Sequence, residues 1–129
     1  MSKKIIETSN APKPVGTYSQ AIIAHNFLYS AGQIGLNPST GELVNDSFTA
    51  EVRQVFHNLQ AVLAAGGLNL DNVVKFTVYL TDLSKFSEVN EVFAEYFPKD
   101  PPARSAVEVA ALPKDANIEI ECVAACEKS

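Results

Sequence analysis

What the chain has little of narrows its class first. It carries no basic block: ten Lys and Arg stand against fifteen Asp and Glu, for a net charge of −5. Nucleic-acid binders need a cationic footprint, so a nucleic-acid partner is not expected. A small anionic ligand would then need a local positive site. Long apolar runs are also missing, and residues 1–7 include two lysines. Neither a signal peptide nor a membrane span is expected, and the protein is expected to be cytoplasmic. The two cysteines, Cys122 and Cys126, make neither a disulfide framework nor a metal set. Internal repeats, linkers and low-complexity segments are absent as well.

What is there reads as one domain over residues 1–129. Apolar residues make up 47% of the chain and charged ones 19%, a globular balance at a length that supports a core. A first strand is expected over 3–8, then a loop over 9–17 broken by Pro12, Pro14 and Gly16. Residues 21–24 and 27–31 suit a hairpin turning at His25-Asn26. Gly32 and Gly35 fit a bulge or a close backbone approach. Val52, Val55, Phe56, Leu59, Val62 and Leu63 recur at helical spacing, predicting a helix over 48–65. Asp46 or Ser47 would cap its start, and Gly66-Gly67 would end it. Arg53 and His57 fall on its wet face.

A strand over 72–81 follows, with Val74, Phe76, Val78 and Leu80 on one side and Lys75, Thr77 and Tyr79 on the other. A second helix is expected over 83–97, striped by Phe86, Val89, Phe93, Tyr96 and Phe97, with Asn90 at the stripe's edge. The last strands are expected over 104–112 and 117–125. In the final one Ile118, Ile120 and Cys122 share a face, making Cys122 a core residue; Glu119, Glu121 and Val123 share the other.

Pro101-Pro102 fixes an extended entry to the strand that begins at Arg104. A guanidinium on a stiff element suits a planar anion, because its fork can donate two parallel hydrogen bonds to a carboxylate. Taken alone, this strand favours the plainer reading of a solvated or salt-bridged arginine. Its alternation puts Ser105, Val107 and Val109 on one face and Arg104, Ala106, Glu108 and Ala110 on the other. If apolar parity meets the helices, Arg104 and Glu119 share the opposite, open face. That face also carries small apolar members, which suggests partial cover by another subunit.

Several segments together carry a resemblance. Pro102-Ala103-Arg104-Ser105 and the run 112–121 (Leu-Pro-Lys-Asp-Ala-Asn-Ile-Glu-Ile-Glu) are similar to the C-terminal signature of the Rid family, the reactive intermediate deaminases also called the YjgF family. Asn10-Ala11-Pro12, residues 16–21, Ala31-Gly32-Gln33 and Val89-Asn90 fall in the family's order and spacing, so the resemblance covers nearly the whole chain. It implies an α+β, chorismate-mutase-like fold, a mixed sheet with two helices on one face. It also implies a homotrimer with sites in clefts between subunits.

The implied activity is hydrolysis of amino-acid-derived enamines and imines, such as 2-aminoacrylate, to 2-oxo acids. No metal or other cofactor is implied, and the partner is a small carboxylate-bearing substrate. Arg104 would hold that carboxylate, and Glu119 would orient or activate water. Tyr18, Asn90, the backbone at Ala31-Gly32, and Ala106 would complete the pocket. The family pattern often has cysteine where this chain has Ala106 and serine where it has Ala31, so the resemblance implies a hydrolytic site without a thiol nucleophile. Binding of a 2-oxo acid without turnover is the competing reading.

Overall fold

In the computed structural model, which describes residues 2–127, six strands form one sheet in the order β1-β2-β3-β6-β4-β5. The strands are β1 (Lys4–Ile6), β2 (Ala21–Ala24), β3 (Phe27–Ser30), β4 (Val73–Leu80), β5 (Ala103–Glu108) and β6 (Ile118–Ala125). All neighbours are antiparallel except β4 and β5. Helix α1 (Phe48–Ala65) connects β3 to β4, and α2 (Phe86–Tyr96) makes the crossover that a parallel β4–β5 pair requires. The fold is α+β, with both helices on one side of a mixed sheet.

Local chemistry sets the punctuation. The β2–β3 hairpin turns at His25 and Asn26, both in the left-handed region at φ 52° and 67°, as a two-residue turn matched to strand twist demands. Ser47 caps α1, its Oγ accepting from the Ala50 N–H at 3.1 Å. Gly66 closes the helix and Gly67 takes φ 78°. The second helical segment starts as a 3-10 turn, Leu83–Lys85, with Asp82 accepting from the Ser84 N–H, before α2 proper begins at Phe86.

The core lies between the helices and the inner sheet face. Phe76, Val78, Leu80, Ile118, Ile120 and Cys122 meet Val52, Val55, Leu59, Val89 and Val92 there. Phe56 is its centre, stacked on Tyr96 at 4.3 Å between ring centroids and edge-on to Phe93 at 4.9 Å. Cys122 is buried, and that burial pushes its thiol up to about 11, as befits a core thiol.

Three expectations need correcting. Val74 is 45% exposed and Val73 is buried in its place, because a register irregularity between Val73 and Lys75 shifts the alternation at the start of β4. The fifth strand stops at Glu108 rather than 112, because β4, its only partner, ends at Leu80 opposite Glu108. The alternation in β5 is also inverted. Arg104, Ala106 and Glu108 lie opposite Phe76, Val78 and Leu80, so they face the helices; Ser105 and Val107 lie opposite Thr77 and Tyr79, on the open side. As an edge strand, β5 is not held in register by burial of its own valines. Val107 is left 45% exposed while the Arg104 stem covers the aromatic edge of the core.

Candidate functional site

Arg104 enters from β5 under α2. Its guanidinium carbon sits 5.0 Å from the Phe86 ring centroid and 4.7 Å from that of Phe93. Nη2 donates to Asn90 Oδ1 at 2.7 Å. Ring faces and one amide thus fix the plane of the fork while leaving its other N–H groups for a ligand. Burial lowers the guanidinium pKa from its usual value, and it remains charged. Among the described residues Arg104 forms no ion pair. Asn90, at the edge of the α2 stripe, is exposed, and its amide is tied to Arg104 and not to the core. Both residues line a cavity of about 370 Å³ with Phe93, Phe97, Pro101 and Pro102.

Glu119 stands on the other side of the sheet. It lies opposite Tyr79, and β6 places it beside the backbone of Gly32, since Gln33 bridges to Ile120. A Cβ added at Gly32 would land on the Glu119 carboxylate, so only glycine lets that carboxylate lie against the chain. Burial, and then the charge of Glu121, raise the Glu119 pKa above the ordinary carboxylate value. Glu121 itself accepts from the Tyr79 hydroxyl at 3.1 Å.

Tyr18, Ala31, Gly32 and Glu119 line one cavity of about 320 Å³, walled further by Val15, Ile34 and Leu36. Tyr18 is held by its own loop, its hydroxyl accepting from the Val15 N–H at 3.2 Å.

The expected site residues therefore fall into two groups. Tyr18, Ala31, Gly32 and Glu119 come together; Arg104 and Asn90 come together elsewhere. The expectation that Arg104 and Glu119 share a sheet face is overturned within one chain, because the β4–β5 register turns Arg104 toward the helices. Ala106 packs against the core and lines neither of these cavities.

Sequence reasoning missed the residues that hold the Glu119 cavity in shape. Glu51 of α1 is fully buried, and its two oxygens accept from the N–H and Nδ2 of Asn117, each at 2.8 Å. Asn58 donates to the carbonyls of Ile34 and Leu36. Buried Gln20 accepts from the Thr8 N–H at 2.7 Å and donates to the carbonyls of Thr8 and Pro12 at 3.0 and 2.9 Å. One signal was available: Glu51 lies four residues before Val55 and eight before Leu59, on the apolar stripe of α1, where a charge needs a reason.

No three His, Cys, Asp or Glu residues among those described are grouped to hold a metal ion, and no described helix is long and apolar enough to cross a membrane. The fold and the cavities beside Arg104 and Glu119 define an α+β domain with room for small molecules.

Comparison with known proteins places that class within a family. The profile of the family described as Endoribonuclease L-PSP matches residues 8–126. A RutC family protein of Pyrococcus horikoshii is 55% identical over 122 residues, covering 95% of this chain and 97% of the relative. The rat 2-iminobutanoate/2-iminopropanoate deaminase is 47% identical over 122 residues, covering 95% and 89%. A crystal structure of a conserved Rid family protein of unknown function from Yersinia pestis superposes with a TM-score of 0.93 at 47% identity, covering 96% of this chain and 99% of that one. The chain belongs to the Rid (YjgF) family.

Proposed function

We propose that this protein is a cofactor-independent deaminase. It hydrolyses reactive enamines and imines derived from amino acids to 2-oxo acids, working in clefts between the subunits of a homotrimer. One observation carries the reading: a guanidinium clamped by two rings and an amide, with no acidic partner among the described residues and a fork free for a carboxylate. The name of the rat relative supports the reaction class. Two copies are needed because Arg104 and Glu119 of one chain face opposite ways. The apolar members of the open face, Ile5, Phe27, Tyr29 and Val107, suit cover by a second copy.

In such a cleft Arg104 of one copy grips the substrate carboxylate, each charge-assisted hydrogen bond contributing about 1.5–3 kcal/mol. Glu119 and Gly32 of the next copy lie at the reacting carbon. 2-Aminoacrylate takes a proton at its methylene carbon and becomes the iminium. Water, held by the Glu119 carboxylate, adds to the α carbon, the carbon of the C=N bond, and passes a proton to Glu119. That proton moves to the amino nitrogen, the C–N bond breaks as the hydroxyl gives up its proton and becomes the carbonyl, and ammonia and pyruvate leave. A carboxyl whose pKa is raised by burial and by a neighbouring acid is better suited to both giving and taking a proton. Since the imine is already electrophilic, an acid–base contribution of about 10²–10⁴ in rate is sufficient.

The family's nuclease description is disfavoured by the chain's net charge of −5, since a polyanion needs a cationic footprint. Binding of 2-oxo acids without turnover is the second reading, favoured by alanine at positions 31 and 106, where no hydroxyl or thiol is offered. The test generates 2-aminoacrylate with a dehydratase and follows pyruvate release. Acceleration by the parent, lost in Arg104→Ala, is expected. Tight pyruvate binding with no acceleration selects the second reading, and an Arg104→Ala protein as fast as the parent overturns the proposal.

A further inference from the structure

The cavity that holds Glu119 carries two cations that the reaction above does not use. Lys13 and Lys114 both line it, and neither has an ion-pair partner among the described residues. Their backbones are set with care. Lys13 sits between Pro12 and Pro14, and the Gln20 amide holds the Pro12 carbonyl. Lys114 has φ 56° and the next residue, Asp115, φ 57°, two successive left-handed residues that are not glycine. That conformation is unfavourable for L-residues. It follows Pro113, and it gives the turn between β5 and β6 the shape that brings Lys114 to the cavity.

The remaining wall is largely apolar, with Val15, Ile34, Leu36 and Pro113. In a protein of net charge −5, the charged lining of this cavity is Lys13, Lys114 and Glu119, so two lysines outweigh the one carboxylate beside low-dielectric walls and favour an anion. The α-carboxylate is already assigned to Arg104 of the neighbouring copy. The lysines are therefore free for a second anionic group, at the other end of the ligand.

We infer that the cleft favours imines of acidic amino acids, with Lys13 and Lys114 receiving the side-chain carboxylate. This inference rests on the deaminase reading and names its substrate class. The reaction keeps the same balance: a 2-imino dicarboxylate and one water give a 2-oxo dicarboxylate and ammonia, the distal carboxylate being unchanged.

The test compares two imines of equal carbon count, those of glutamate and norvaline, each formed in place by an amino-acid oxidase. The parent protein is expected to show a higher kcat/KM for the glutamate imine. Each lysine contributes about threefold to fivefold to that ratio, the size of an exposed ion pair, and roughly tenfold together. Lys13→Ala/Lys114→Ala is expected to bring the ratio near one, while the double arginine variant keeps it. A parent ratio of one or below, or a ratio that the double alanine variant leaves unchanged, overturns the inference.

Calorimetry with 2-oxoglutarate and 2-oxopentanoate separates the two claims. If neither imine is accelerated, the deaminase reading fails, and binding still decides the subsite. Tighter binding of 2-oxoglutarate that depends on the lysines supports it; equal binding of the two acids overturns it.

Discussion

Arg104 rests on the rings of Phe86 and Phe93, whereas Glu119 rests on the bare backbone of Gly32. The cation is placed by things that touch it: two aromatic faces and the Asn90 amide. The carboxylate is placed by something missing, a side chain at position 32. The first arrangement tolerates small adjustments, since a ring face attracts a cation over a range of offsets. The second does not, since one added methyl group meets the carboxylate itself. Each half also lacks what the other offers. The guanidinium has no acid beside it among the described residues, and burial and Glu121 are what raise the Glu119 pKa. Two incomplete halves on opposite sheet faces fit the proposed site shared between copies.

Mixing variants gives the largest effect that can break this comparison. Arg104→Ala and Glu119→Gln are each expected to lose at least a hundredfold in kcat/KM, in line with about 3–6 kcal/mol for a two-pronged carboxylate grip and 10²–10⁴ for acid–base work. Dissociated and reassembled together, the two inactive proteins form mixed oligomers in which some clefts contain both native residues. Activity is then expected to recover to a measurable fraction of the parent's. No recovery in oligomers shown to be mixed would mean that both residues act from one chain.

Gly32→Ala sharpens the comparison from the carboxylate side. The new Cβ displaces Glu119, and misplacing a reacting group by about 1 Å costs roughly a hundredfold. The loss is expected in kcat with little change in KM, because Arg104 still binds the substrate. Overpacking is also expected to lower stability by about 1–3 kcal/mol in denaturant titration. Asn90→Ala probes the cation side and is milder. It frees one edge of a guanidinium that the rings still hold, at about 0.5–1.5 kcal/mol for the lost hydrogen bond. A severalfold rise in KM with kcat retained is expected from steady-state kinetics.

The difference between the halves also explains which parts of the molecule were legible in the sequence. Helix α1 could be read to its ends, because Ser47, the apolar stripe and Gly66-Gly67 all act locally. The His25-Asn26 turn, the inward parity of β4 from Phe76 onward and that of β6 were legible for the same reason; Val74 was not, because the irregularity between Val73 and Lys75 turns it outward. Strand β5 was not. Its face is decided by the register Phe76 to Arg104, a pairing across 28 positions that its own alternation does not encode. The valines pointed to the wrong side because α2 offers Phe86 and Phe93 to a cation's stem, a preference that hydrophobic counting leaves out. Family resemblance could name Arg104 and Glu119 as partners. It could not say that one chain separates them, nor that Glu51 and Asn117 tie down the start of the strand on which Glu119 stands.

The pH dependence of Glu119 gives the smallest effect, and it has a sign that can be checked. Burial first, and Glu121 second, raise its pKa above that of the unfolded chain. A group that binds its proton more tightly when folded stabilises the fold below its unfolded pKa; that contribution is lost as pH rises through the folded value. At neutral pH the buried carboxylate therefore opposes folding, and Glu119→Gln is expected to raise the melting temperature while abolishing turnover. The same shift sets the acid limb of activity. In the proposed mechanism the carboxylate is the form that holds water for attack, so kcat is expected to rise with pH through a Glu119 pKa raised from its ordinary value. Glu121→Gln removes one of the two causes and is expected to move that limb to lower pH without returning it fully, because burial remains. A limb that stays in place in Glu121→Gln would assign the profile to another group.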